Sequence, residues 1–461
     1  MQVIVGSKIT ISQPSQDLLD WCKDNLVLSN PDYQKKLRMG FWTGNTPKQI
    51  VLYERNGEDI ILPFGCLRSI LPLLSGSLTT VFPEPREIEY NCEVPLYDYQ
   101  EDAVTALIDA HYGILQSKAG SGKTQMGIAL TSRLGVKTLW LTHTKDLLTQ
   151  SKKRAEQYMS SDLIGTITEG KVNIGKGITF ATIQTMCKLD LDQLRGVWDC
   201  IIVDECHRVS GTPTAVTQFS KVLNSLSARH KYGLSATVHR ADGLIKATYA
   251  LLGEVVYTVP DEAVSSTVVT VSVLPRRTGV QMSRAFLNTD GTLNWCRMIT
   301  YLTENEERNG FILDDLEGNS DHYNLILSDR VSHLRYLYES LPDELKEVAA
   351  VIDGKMTSKR LKAEREQSLE NMRQGTKRYL FATYSLAKEG LDIPRLDRLY
   401  LTTPQKDYAV ITQSVGRVAR KFEGKEDPVV YDYIDYMRIA EKSFKTRCTS
   451  YRKCGCKILE G

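Results

Sequence analysis

At 461 residues the chain is longer than a single hydrophobic core usually serves, so two or three domains are expected. Hydrophobic residues make up 42% and charged residues 25%, ordinary for a globular protein, and no apolar run approaches the ~18 residues that cross a bilayer, which argues against a membrane-spanning helix. A net charge of +2 argues against coating nucleic acid through bulk positive charge, so any such contact must rest on local donors.

The opening MQVIVGSKIT lacks the charged-then-apolar layout of a signal peptide, and ten scattered cysteines read as reduced thiols of a cytoplasmic protein (host cytoplasm if phage-encoded). Residues 1–92 read as a small α+β module. Strand-forming runs occupy 2–5 and 49–53, Asn56-Gly57 before Ile60-Ile61-Leu62 signals a hairpin, and 17–26 predicts a helix. Lys35, Lys36, Arg38 and Lys48 are interleaved with Tyr33, Phe41 and Trp42, a pattern suited to a duplex or fork, although large aromatics are as readily core.

From residue 93 to 255 the pattern becomes strand, loop, helix, repeated. Strands are expected at 113–116, 137–142, 178–182, 199–204 and 232–236, which makes a parallel sheet with ligands at its carboxyl edge. The first strand runs into SKAGSGKT at 117–124. Gly120, Ser121 and Gly122 let backbone N–H groups point at an oligophosphate, Lys123 adds a point charge, and the Thr124 hydroxyl suits Mg²⁺. The helix expected at 122–134 turns its positive end to the same anion. Ser117 stands where the strict pattern has glycine. The strand DCIIVD ends in Asp204-Glu205-Cys206-His207: an Asp at that edge can hold Mg²⁺, and Glu205 is placed to activate a water.

Residues 256–320 read as a linker or insertion, with a β-like stretch at 267–274, a helical stretch at 293–316, and Arg276, Arg277, Arg284 and Arg297 placed either to clamp a duplex or to bridge domains. A second α/β series fills 321–461, with strands at 323–328, 347–353, 378–384, 397–402 and 428–434. QSVGRVAR at 413–420 puts Arg417 and Arg420 three apart on one expected helical face, able to reach a single anion. The tail from Tyr436 carries seven Lys/Arg and reads as a basic, phosphate-contacting extension; Cys448, Cys454 and Cys456 lack the two-plus-two spacing of a zinc site.

SKAGSGKT, DECH (204–207), SAT (235–237), ATYSLAKEGLDIP (382–394) and QSVGRVAR resemble, in order, the motifs of superfamily 2 helicases. The resemblance covers about 95–445 and implies an α/β fold of two RecA-like parallel-sheet domains in tandem, with ATP and Mg²⁺ in the cleft between them. It assigns phosphate and metal binding to Lys123, Thr124 and Asp204, water activation to Glu205, and arginine fingers to Arg417 and Arg420 beside Gln413. It also gives cleft-lining roles to Gly390 and Asp392, and coupling of hydrolysis to motion to Ser235 and Thr237. PLYDYQ (95–100) is similar to the family's adenine-sensing segment, with Gln100 reading the base.

Loops at the strand ends offer hydroxyls and amides that bind phosphates without reading sequence: Thr144, Thr182, Gln184 and Thr185 in the first domain, Thr383 and Ser385 in the second. His143 stands where the family often has proline. The stretch 30–65 resembles UvsW-type phage helicases that remodel branched DNA. The expected activity is an ATP-dependent DNA helicase or translocase acting on forks and junctions. An RNA-directed ATPase of the same superfamily and a duplex translocase that does not part strands are the alternatives.

Overall fold

The computed structural model describes all residues except 119, 211, 237–243, 261, 264–268, 353–357, 389–390, 392, 406 and 461. The chain divides into two compact units, one of residues 1–118 and 122–263, the other of residues 264–461 together with 119–121. Among the described residues no helix is long and apolar enough to cross a membrane.

The first unit holds two large sheets and a two-stranded one. The N-terminal large sheet has five strands in the order Glu54–Asn56, Asp59–Pro63, Lys8–Ser12, Gln2–Val5 and Ser77–Thr80, antiparallel except for its last pair. Alternation decides its faces: Val3, Val5, Ile9, Ile11, Ile60 and Leu62 point inward, where helix Gln16–Leu26, capped by Ser15, adds Leu18, Cys22 and Leu26. The Asn56-Gly57 turn forms as expected, pairing Asn56 with Asp59. The run 49–53, however, does not enter that hairpin. Gln49–Val51 pairs instead with Val27–Ser29 and closes an excursion over residues 30–48.

The second large sheet of this unit has eight strands in the order Lys171–Asn173, Ile164–Thr168, Ile178–Thr182, Thr138–Thr142, Cys200–Asp204, His230–Ser235, Tyr112–Gln116 and Val255–Thr258. All pairs are parallel but the first, and every residue of the three strands Thr138–Thr142, Ile178–Thr182 and Cys200–Asp204 is buried. The two large sheets of the unit share a core. Tyr112 and Ala250 pack among the N-terminal residues, and a Cβ on Gly65 would lie 2.4 Å from Gly253 N. The Lys231 ammonium, fully buried, donates to Ser7 O (3.1 Å) and Leu223 O (2.7 Å) and lies 5.0 Å over the Phe64 ring.

The second unit has one seven-stranded sheet, with all pairs parallel, in the order Ala349–Ile352, Tyr379–Thr383, Asn324–Ser328, Arg398–Leu401, Val429–Tyr436, Ser272–Gln281 and Lys457–Ile458. Ser272–Gln281, expected in a linker, lies inside this sheet. Two of the arginines considered for a duplex clamp are held in ion pairs: Arg276 meets Asp315 in two bonds of 2.9 and 2.7 Å, and Arg277 pairs with Glu441. The basic tail is mainly helix Arg438–Lys453, and its Arg447 is buried in a bidentate pair with Asp432 (2.8 and 2.7 Å), so that guanidinium is structural. Among the described residues no group of three or more His, Cys, Asp or Glu is placed to hold a metal, the three tail cysteines included.

Candidate functional site

Strand Tyr112–Gln116 breaks at Ser117 into a turn that ends in helix Lys123–Leu134. Gly120 and Gly122 adopt φ of 87° and 83°, which only glycine takes without strain. Ser117 does not have a positive φ; its N–H donates to Ser235 O (2.9 Å), so the missing first glycine costs nothing. A Cβ on Gly122 would sit 2.4 Å from Gln100 Nε2. No side chain caps the helix, which leaves its first N–H groups to an anion. Ser121 is buried and Thr124 half-buried in the first turn. The Lys123 ammonium, also buried, donates to Ser117 O (3.2 Å) and Lys118 O (3.3 Å), folded back over the turn where phosphates would lie.

Asp204 ends strand Cys200–Asp204, separated from Tyr112–Gln116 by strand His230–Ser235, and is buried. Its carboxylate accepts from Ser151 Oγ (3.2 Å) and Glu205 N (3.0 Å). Burial and the adjoining Glu205 push its pKa up to about 6, against the pull of Lys123. A buried acid held this high gains by meeting a cation, and together with the glycine turn, the ammonium and the uncapped helix it fits a metal-bound oligophosphate. Glu205 has φ 49°, left-handed for a non-glycine residue, and its Oε2 lies 3.2 Å from His207 Nδ1. That nitrogen is also 3.1 Å from Ser235 Oγ, so one imidazole joins the acidic turn to the end of strand His230–Ser235. Thr237 lies outside the described residues.

Gln100 is buried beside the turn. Its Oε1 accepts from Tyr97 N (3.0 Å) and its Nε2 donates to Tyr99 OH (3.4 Å). Tyr97, 60% exposed, stacks on Tyr99 with centroids 5.9 Å apart. An exposed ring next to an amide suits a purine, and the sequence reading overlooked Tyr97 although it lies inside PLYDYQ.

The phosphate-contact candidates lie at the ends of strands or in the first turns that follow them. Thr144 caps helix Lys145–Ala155 by accepting from Leu147 N (3.3 Å). Thr182 and Thr185 pair their hydroxyls at 2.9 Å, and Gln184 donates to His143 O (2.9 Å), which fixes the turn at His143. In the second unit the hydroxyls of Thr383 and Ser385 pair at 3.0 Å in the same way.

Helix Tyr408–Val418 of the second unit carries Gln413, whose buried Oε1 accepts no hydrogen bond from the described residues, and Arg417, which donates to Ala387 O and Leu391 O at 3.0 Å each. The helix ends at Val418, so Arg420 does not continue its face, contrary to the expectation of one shared helical face. Just past the helix the Ala419 carbonyl accepts from Val269 N (2.7 Å), and the Lys425 ammonium donates to Val418 O (2.7 Å), Arg420 O (2.8 Å) and Pro394 O (3.0 Å); burial pulls the Lys425 pKa down to about 8. Gly390 and Asp392 lie outside the described residues.

A glycine turn at the carboxyl edge of one parallel sheet, an acid at the same edge two strands away, and a second parallel sheet with its own glutamine and arginines fit a tandem RecA-like, nucleotide-driven protein. Residues 93–240 match the family of the type III restriction enzyme res subunit, and 308–422 match the helicase conserved C-terminal domain. The chain belongs to helicase superfamily 2, and these two domains imply an ATP-hydrolysing helicase.

It is 28% identical over 463 residues to the probable helicase D10 of Escherichia phage T5, covering 100% of this chain and 96% of that one. It is 28% identical over 327 residues to a putative ATP-dependent RNA helicase, L396, of Acanthamoeba polyphaga mimivirus, covering 70% of this chain and only 60% of the relative. Among solved structures, a fragment of a putative HsdR subunit of a type I restriction enzyme from Vibrio vulnificus has a TM-score of 0.54 at 18% identity, over 74% of this chain and 65% of that one. T4 UvsW aligns over 100% of this chain and 99% of its own at 19% identity, with a TM-score of 0.41.

Proposed function

We propose that the chain is a DNA helicase or translocase that unwinds or branch-migrates forked and junction DNA at the expense of ATP. The observation that carries this reading is the excursion over residues 30–48, which holds exposed Phe41 and Trp42 beside exposed Lys35, Arg38 and Lys48. Exposed rings among cations suit the place where paired and unpaired DNA meet. The paired hydroxyls Thr182–Thr185 and Thr383–Ser385, with Thr144 and Gln184, would contact phosphates without reading bases, as a motor that travels along DNA requires.

In this reading Gly120, Ser121, Gly122, Lys123 and Thr124 hold the phosphates, and Gln100 and Tyr97 hold the adenine. Asp204 and Thr124 are the residues that would hold Mg²⁺, which supplies charge neutralisation to the transferred phosphoryl group. Glu205 takes the proton of the attacking water. Gln413, Arg417 and Arg420, with Gly390 and Asp392, are the second unit's contribution to turnover.

RNA is the second reading, favoured by the mimivirus relative's name. Translocation on duplex without strand separation is the third, favoured by the restriction-enzyme likeness. ATP turnover by the full chain with forks, four-way junctions, blunt duplex and RNA tests all three, with strand displacement followed in parallel. Strongest stimulation by forks and junctions together with displaced strands is the expected result. Stimulation by RNA alone, or by duplex without displacement, overturns it.

A further inference from the structure

We propose that the tip of the excursion over residues 30–48 is a stacking pin: Trp42, with Phe41, packs against nucleobases left open where the strands of a nucleic acid part. The inference rests on the functional reading above and names the residues that would meet the branch point.

The excursion is built to present this tip. Asn30 closes its base, its N–H donating to Lys48 O (3.1 Å) and its Nδ2 to Pro47 O (2.8 Å), while Lys36 Nζ donates to Thr46 Oγ1 (2.7 Å) across the middle. Helix Pro31–Arg38 buries none of its residues. Beyond it Phe41 and Trp42 stand between Gly40 and Gly44, both with left-handed φ (66° and 51°), and the Trp42 ring lies across Gly44, where a Cβ would approach it to 3.0 Å.

Trp42 is 86% exposed and Phe41 60%, the two most exposed aromatic side chains of the N-terminal module. Leu37 and Met39, close in sequence, are also more than half exposed, so the exposed apolar side chains of the excursion are not a lone ring. A surface of this kind costs solubility and contributes nothing to the fold.

The charge beside it selects the occupant. Between residues 30 and 48, Lys35, Lys36, Arg38 and Lys48 face a single acid, Asp32, in a chain whose net charge is only +2. A polyanion that also offers apolar faces matches both features. Unpaired bases flanked by phosphates provide this, and blunt duplex hides its π-faces in the stack. One ring on one base is worth ~1–3 kcal/mol, or roughly fivefold to a hundredfold in affinity.

The test uses the full chain and a synthetic DNA fork with single-stranded arms, the corresponding blunt duplex, and the fork with abasic sites at the junction. Trp42→Ala should weaken fork binding by about tenfold, with duplex affinity, nucleic-acid-free ATP turnover and melting temperature unchanged, and Trp42→Phe should restore most of the loss. Abasic sites should weaken the unmodified chain but not Trp42→Ala, the coupling that direct stacking requires.

Equal loss on fork and duplex, or abasic sites that weaken both proteins alike, overturns the pin. So does a change of oligomeric mass in Trp42→Ala, which would seat a second copy on the tip. If no nucleic acid stimulates ATP turnover by the unmodified chain, the functional reading itself fails. If stimulation is intact and Trp42→Ala binds forks normally, only the pin fails.

Discussion

Glu205 sits at φ 49°, a conformation that costs a non-glycine residue ~1–3 kcal/mol and persists where the surroundings impose it. Its N–H is held by Asp204 Oδ1, and its Oε2 lies 3.2 Å from His207 Nδ1. Glu205→Gln keeps the shape and removes the proposed base. ATP turnover should fall by ~10²-fold or more with nucleotide affinity retained, and near-normal turnover would place the base elsewhere. Lys425 acts at the same scale without touching substrate. Lys425→Ala frees the carbonyls of Val418 and Arg420, so kcat should fall by about tenfold while KM for ATP and nucleic-acid affinity hold, and Lys425→Arg should recover part of it. A loss confined to thermal stability would make Lys425 structural only. These two residues show what the sequence makes legible. Asp204 and Glu205 announce themselves because their chemistry needs adjacent acids at the end of an apolar run. Lys425 does not, because its partners are backbone carbonyls up to 31 residues away, and carbonyls leave no trace in side-chain identity.

Ten parallel strands were legible to within about two residues, since they read as short apolar runs closed by polar turns: DCIIVD became Cys200–Asp204 and RYLFATY became Tyr379–Thr383, whereas Ile164–Thr168 and Val255–Thr258 were not anticipated. Ser272–Gln281 was not placed in its sheet, because its partner strand Val429–Tyr436 lies some 150 residues away and pairing at that range has no local signature. Nor does the sequence reveal that residues 1–92 share a core with the sheet that follows. Lys231 marks that join. Burial pulls its pKa from the ordinary 10.5 down to about 7. Between those values the unfolded chain keeps a proton that the native chain has released, so the contribution of Lys231 to stability rises with pH across the window and is least favourable below pH 7. Lys231→Met removes the titration. Urea midpoints at pH 7 and pH 9 should therefore rise more for the unmodified chain than for the variant, and equal changes would show that the ammonium is not desolvated as its position implies. The shared core also means that removing residues 1–92 would bare Tyr112 and Ala250 and take one of the two acceptors from Lys231. The truncated chain should melt earlier, so specificity is better tested by single substitutions in the excursion.

Over the whole chain, 58 cationic residues nearly balance 56 acids, and several of the cations are spent internally: Arg276 on Asp315, Arg277 on Glu441, Arg447 on Asp432. Nucleic-acid affinity must then come from two kinds of contact that salt separates. In the proposed reading, hydroxyls such as Thr182 and Thr383 would contact phosphate without displacing counterions. The exposed Lys35, Arg38 and Lys48 displace about one each, which contributes roughly −0.9 per cation to the slope of log K against log salt. A slope near −3 follows for fork binding, shallow beside the roughly −10 of a strongly basic binder. Replacing Lys35 and Arg38 together by Gln should flatten it by about 2, while Thr182→Val and Thr383→Val should weaken binding at every salt concentration and leave the slope unchanged. Fluorescence anisotropy with a labelled fork over a salt series reads both quantities. A steep slope that survives the Gln substitutions would mean that a different basic surface holds the DNA, and the excursion would lose its part in recognition.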